Sequence, residues 1–124
     1  MRRWLGVVAV AVFAGACASG GAQGQAHDEM REGVRAAQRG YWQEALFRFQ
    51  NARKVEPASP EVLNNLAVAL EALGRYDDAL AAYKQALQSA SKSSTLRRNY
   101  ARFAEFYSSY AKGVKPKGTG DATR

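Results

Sequence analysis

The side chains able to do covalent or metal chemistry are few in this 124-residue chain: one thiol, Cys17, and one imidazole, His27. A nucleophile needs its base within hydrogen-bond reach, and a closed zinc site needs four ligands. Neither is available from one Cys and one His, and Cys17 has no second thiol for an intramolecular disulfide. Asp77 and Asp78 come nearest to a carboxylate pair. Adjacent helical positions point in different directions, however, and at a helix start both carboxylates simply meet the positive end of the dipole. The glycines, Gly20-Gly21 among them, lack the lysine of a phosphate-binding loop and the spacing of a dinucleotide-binding one. No catalysis, metal or cofactor is expected. What remains is charge: Arg98 and Arg102, one helical turn apart, can offer two-pronged hydrogen bonds to carboxylates.

The one thiol has a suggestive address. Met1-Arg2-Arg3 precedes an uninterrupted apolar run over 4–16, and small residues follow as far as Gly21. This is the layout of a secretory signal peptide. At 1.5 Å per residue a run of about 13 residues is too short for a bilayer core, so residues 1–16 read as cleaved. Cys17 directly follows Ala14-Gly15-Ala16, and the segment resembles a bacterial lipoprotein signal, whose box ends in the cysteine that becomes lipid-modified. Ala14 stands where that family usually has Leu, and plain secretory cleavage after Ala16 or Ala18 is the alternative. The resemblance implies several acyl chains on Cys17, enough for stable membrane attachment where one chain would be marginal. Ala18, in place of Asp after the Cys, implies the outer membrane of a two-membrane bacterium. Arg2-Arg3 lacks the polar surroundings of a twin-arginine export signal. Residues 18–26 carry no charge and no large apolar side chain, so with Cys17 they read as a lipidated, flexible tether over 17–26.

Beyond residue 26 the chain repeats itself at an offset of 34 residues, aligning Gly40 with Gly74, Trp42 with Tyr76, Ala45 with Ala79, Phe49 with Tyr83 and Ala52 with Ala86. This period, with small and aromatic residues at fixed places, resembles the tetratricopeptide repeat. The second copy meets the first-helix pattern through Leu63, Leu66-Ala67 and Leu70, and the first copy closes with Pro57. Departures are Glu29, Glu32-Gly33 and Ala36 on a thin apolar face in the first copy, and Ser91 where the second should end in Pro. The resemblance implies an all-α fold: a short helical solenoid of two helix-turn-helix repeats, about 27–59 and 60–93.

The periodicity predicts those helices independently of the name. From Pro60 to Leu73, the residues Val62, Leu63, Leu66, Ala67, Leu70 and Leu73 form a 3.6-residue stripe between a Ser59 cap and Gly74. Residues 75–89 repeat it through Tyr76, Ala79, Leu80, Tyr83, Ala86 and Leu87, and an earlier pair is expected at 27–39 and 42–54 with Gly40 as the turn. After Ser94-Thr95 as a cap, Leu96, Tyr100, Phe103, Tyr107 and Tyr110 mark a further amphipathic helix. It stands where a third repeat would begin and reads as a capping helix over 94–112, because a repeat stack needs its last apolar face covered. Residues 113–124 read as a basic disordered tail.

Residues 27–91 hold eight basic and nine acidic side chains, whereas 92–124 hold eight basic and two acidic. This basic excess reads first as a solvated helix face and a soluble tail; an exported protein normally lacks access to nucleic acid, so the alternatives are contact with an acidic protein segment or an anionic surface. Tetratricopeptide arrays line a concave groove with the first helix of each repeat. Carried over by register, that groove comprises Met30, Arg31 and Val34, then Asn64, Asn65, Val68 and Glu71, then Arg98, Asn99 and Arg102. The expectation is an outer-membrane lipoprotein facing the periplasm and acting as a protein-protein adaptor or scaffold, with two alternatives. Those are a self-associating structural protein and a non-catalytic subunit that anchors an envelope enzyme.

Overall fold

The computed structural model describes residues 18–113, with side chains from Gly21 onward. Five α-helices follow one another, with no strand among the described residues: α1 Ala18–Gln38, α2 Trp42–Val55, α3 Pro60–Ala72, α4 Tyr76–Ser89 and α5 Ser94–Ala111. Short turns make chain neighbours antiparallel. α1 packs along α2 and α3 along α4, α2 and α3 join the two pairs, and α5 closes on α4. The result is an all-α helical-repeat solenoid. The lipoprotein signal expected over 1–16, Cys17 and the tail expected over 113–124 lie outside the described residues, Gly113 excepted.

The 34-residue register is visible in the backbone. Gly40 and Gly74 follow α1 and α3 with φ of 77° and 75°, the left-handed conformation that glycine adopts without a Cβ penalty. Each sets up the same pair of closing bonds: Gly40 and Tyr41 donate to Ala37 and Ala36, and Gly74 and Arg75 donate to Glu71 and Leu70. Ser59 caps α3 through a bond from the Val62 N–H at 3.4 Å, with Pro60 at the first helical position. Ser93, 34 residues later, caps α5 by accepting from Leu96 N–H at 3.3 Å. The cap is thus Ser93 rather than Ser94-Thr95, since its side chain is the one placed to accept.

Small residues let paired helices approach. Ala45, Ala52, Ala79 and Ala86 are fully buried, as are Leu63 and Tyr83. In the first repeat the helices also meet closely at Gly33, where a Cβ would run into the ring of Phe49. That ring is 2% exposed and has nowhere to go. The thin apolar face of α1 is therefore made good from α2, whose Phe49 covers the gap left by a glycine.

The tether expected over 18–26 is corrected: these residues are the first part of α1, and Ala26 is 1% exposed. Starting a helix is the costly step, and each further residue is cheap. Once 27–38 is held against α2, a stretch with Ala22 and Ala26 on consecutive turns extends it backwards despite its glycines.

Candidate functional site

The structure sorts the ten expected groove residues into three places and leaves one apart. Val68 and Glu71 of α3 and Arg102 of α5 line one hollow of about 410 Å³, together with Trp42, Ala72, Tyr76 and Phe106. Trp42 and Tyr76 are the first residues of α2 and α4, and Phe106 comes from the capping helix. One wall is therefore aromatic, with a carboxylate and a guanidinium beside it.

Asn64, Asn65 and Asn99 form a chain of amides between α3 and α5. Asn99 Nδ2 donates to Asn64 Oδ1 at 3.0 Å, and Asn64 Nδ2 donates to Asn65 Oδ1 at 3.3 Å. Amides expected to face a peptide backbone are thus partly committed to one another, and they tie the capping helix to the second repeat.

Met30, Arg31 and Val34 of α1 line a separate hollow of about 270 Å³ with His27, Arg35 and Glu61. Met30 is corrected from groove contact to core residue: it is 9% exposed and belongs to the buried cluster. Arg31 pairs with Asp28 at 3.0 Å, and Val34 is exposed. Arg98 is exposed, forms no ion pair among the described residues and lines neither hollow.

The first hollow is organised by a node of three helices. Tyr83 of α4 donates its hydroxyl proton to Glu71 Oε2 at 3.0 Å, and Arg102 Nη2 stands 3.6 Å from the same oxygen. Burial, and then the charge of Glu71 that accepts its proton, push the Tyr83 phenol well above its ordinary range. Arg102 pulls the other way, but its side chain is 64% exposed and its contact is long. Its guanidinium therefore has donors left for another carboxylate. A second tie lies near the α4 start, where Tyr107 of α5 donates to Asp77 Oδ1 at 2.5 Å. This bond raises the Tyr107 phenol as well. Asp78 pairs with Arg75 at 2.8 Å, so the two neighbouring carboxylates serve separate partners.

Register alone did not assign Trp42, Tyr76 and Phe106 to the groove. Trp42 and Tyr76 are visible as aligned aromatics, but that they line one hollow with Glu71 depends on how α2, α3 and α4 pack together. Phe106 lies one residue off the stripe through Phe103 and Tyr107. It stacks edge-on against Tyr76 with ring centroids 4.9 Å apart.

Residues 30–94, more than half of the chain, match the family profile of the tetratricopeptide repeat. The chain belongs to the tetratricopeptide-repeat family. Repeats of this family are protein-protein interaction modules, and the 34-residue spacing that relates Gly40 to Gly74 and Ser59 to Ser93 falls within the matched stretch. None of the curated proteins compared matches the chain.

Proposed function

We propose that this tetratricopeptide protein is an exported, membrane-anchored adaptor that holds a moderately acidic segment of a partner protein against α3 and α5. The observation that carries the reading is the hollow in which Val68, Glu71 and Arg102 meet Trp42, Tyr76 and Phe106. It offers apolar rings for one side chain and an accessible guanidinium for a neighbouring carboxylate. Anchoring rests on the sequence: an apolar run over 4–16 followed at once by Cys17, while no helix among the described residues is long and apolar enough to cross a membrane. Assembly or stabilisation of envelope machinery is the setting that suits an adaptor so placed.

Two measurements test this reading. An acyl probe fed to cells should label the wild type and leave Cys17→Ser unlabelled; an unlabelled wild type removes the lipid anchor. Partner proteins recovered with the chain from membranes should be lost from Arg102→Gln, which removes the charge without setting a second carboxylate against Glu71, while helix content stays as in the wild type. Recovery should also weaken as salt rises, because a charge-assisted contact at an exposed guanidinium is screened. A variant that keeps its partners would place binding elsewhere.

A further inference from the structure

The antiparallel order of the helices gives the solenoid two ends of different charge. One end gathers the start of α1, the end of α2, the start of α3, the end of α4 and the start of α5. Five basic side chains stand there: Arg53 and Lys54 in the last turn of α2, Lys92 in the turn before α5, and Arg97 and Arg98 in the first turns of α5. All five are exposed, and among the described residues none forms an ion pair, whereas Arg31, Arg35, Arg48, Arg75 and Arg102 do. Arg53 and Lys54 donate to the neutral amides of Gln85 and Asn51. The acidic residues without ion pairs at this end are Glu56 and Glu61. The opposite end is balanced, with Arg39, Arg75 and Lys112 against Glu44, Asp77 and Asp78.

Folding gains nothing from this arrangement at α5. Helices α2, α3 and α4 each carry an acidic residue in the first turn, where it meets the positive end of the dipole, and α5 carries none. Arg97 and Arg98 instead add positive charge to a positive helix end, a repulsion that an external anionic surface would relieve. The chain's own course says which surface. The apolar run over 4–16 and Cys17 lead directly into Ala18 at this same end. With Gly40 at the turn, the end of α2 lies opposite residue 25 or so, and α1 continues about 10 Å beyond it. That stand-off is comparable with the Debye length of about 8 to 10 Å at physiological salt, and lysine and arginine side chains shorten it further.

We infer that the solenoid stands end-on to the membrane and docks this basic end on anionic lipid headgroups, which leaves the Trp42–Tyr76–Phe106 hollow turned away from the bilayer. The inference rests on the anchoring reading above and adds to it an orientation and a lipid preference.

The test uses the purified full chain on vesicles of phosphatidylcholine, with or without phosphatidylglycerol. Flotation with phosphatidylcholine vesicles reads anchoring alone. Amine acetylation followed by mass spectrometry reads docking: on vesicles containing phosphatidylglycerol, Lys54 and Lys92 should lose reactivity severalfold, while Lys112 at the far end stays as reactive as on phosphatidylcholine. High salt, or Arg97→Glu with Arg98→Glu, should restore Lys54 and Lys92 without releasing the chain from the vesicles. A chain that floats but keeps Lys54 and Lys92 equally reactive on both vesicles overturns the docking and leaves the anchor standing; an acidic protein is then the partner of the basic end. A chain that does not float with phosphatidylcholine overturns the anchor and, with it, the end-on orientation that the anchor sets.

Discussion

Phe49 and Tyr83 occupy the same place in successive repeats and differ by one hydroxyl, which in Tyr83 finds Glu71 while the register partner of Glu71 in the first repeat is Ala37. The site thus accepts a phenyl ring, and Tyr83→Phe should fold normally while losing roughly 1 kcal/mol, the net worth of a hydrogen bond whose acceptor can turn back to water. The sign of the pH effect follows from the raised phenol. The folded state holds the Tyr83 proton more tightly than the unfolded chain, so this contribution is fully present below about pH 10 and is lost as pH rises further. Denaturant midpoints should therefore fall from pH 10 upward more steeply in the wild type than in Tyr83→Phe; parallel curves would remove Tyr83 as the cause. Gly33 makes the opposite case. A methyl group there gains helix propensity but meets the buried ring of Phe49, so Gly33→Ala should destabilise by roughly 1 to 3 kcal/mol in a thermal melt. A melting temperature at or above that of the wild type would mean that the ring can yield.

At the scale of elements, α5 is held by fewer neighbours than any helix of the two pairs, and Phe103 is its fully buried anchor, with its ring 5.3 Å from that of Tyr83. Phe103→Ala should cost roughly 3 to 5 kcal/mol, the range for deleting a buried aromatic. In a repeat array the loss is local, so hydrogen exchange should speed up through 94–111 first and leave α1 to α4 protected; uniform loss of protection would show that the five helices melt as one unit. Helix positions, the glycine turns and the Ser59 cap were legible in the sequence because each depends on residues within one or two turns. Applied to Ser59, the 34-residue offset points to Ser93, the cap of α5. The start of α1 was not legible, because composition over 18–26 argues against order and the structure that extends through it is nucleated by contacts of 27–38 with α2. The groove was legible in part. Register brought Val68, Glu71 and Arg102 to one face, but the amide chain from Asn99 to Asn65 and the place of Phe106 depend on how α5 settles against α3 and α4.

The described residues form a stack of two repeats and a fifth helix, and its stability depends on what closes its ends. A tetratricopeptide pair presents an apolar face to the next repeat, and here that face includes Tyr76 and Tyr83 of α4, whose rings meet Phe106 and Phe103 of α5. Three features of α5 suit it to cover that face. Leu96 and Phe103 are buried on its inner side, Tyr100, Phe106 and Tyr107 pack at the edges, and Arg97, Arg98, Ala101, Glu105 and Ser108 are exposed on its outer side. Tyr107 to Asp77, Asn99 to Asn64 and Arg102 to Glu71 then fix its place with polar contacts rather than with a second apolar surface. A chain ended after Ser93 should therefore keep the helices of both repeats but expose the rings of Tyr76 and Tyr83. The expected outcome is dye binding typical of exposed apolar surface, and a size that grows with concentration as open faces meet one another. Restoring α5 with Leu96, Phe103 and Phe106 all changed to Ser should reproduce the truncation, since the cap would be present without its apolar side. A truncated chain that remains monomeric, with unchanged melting, would show that the second repeat closes on itself and would leave α5 free to serve the partner face alone.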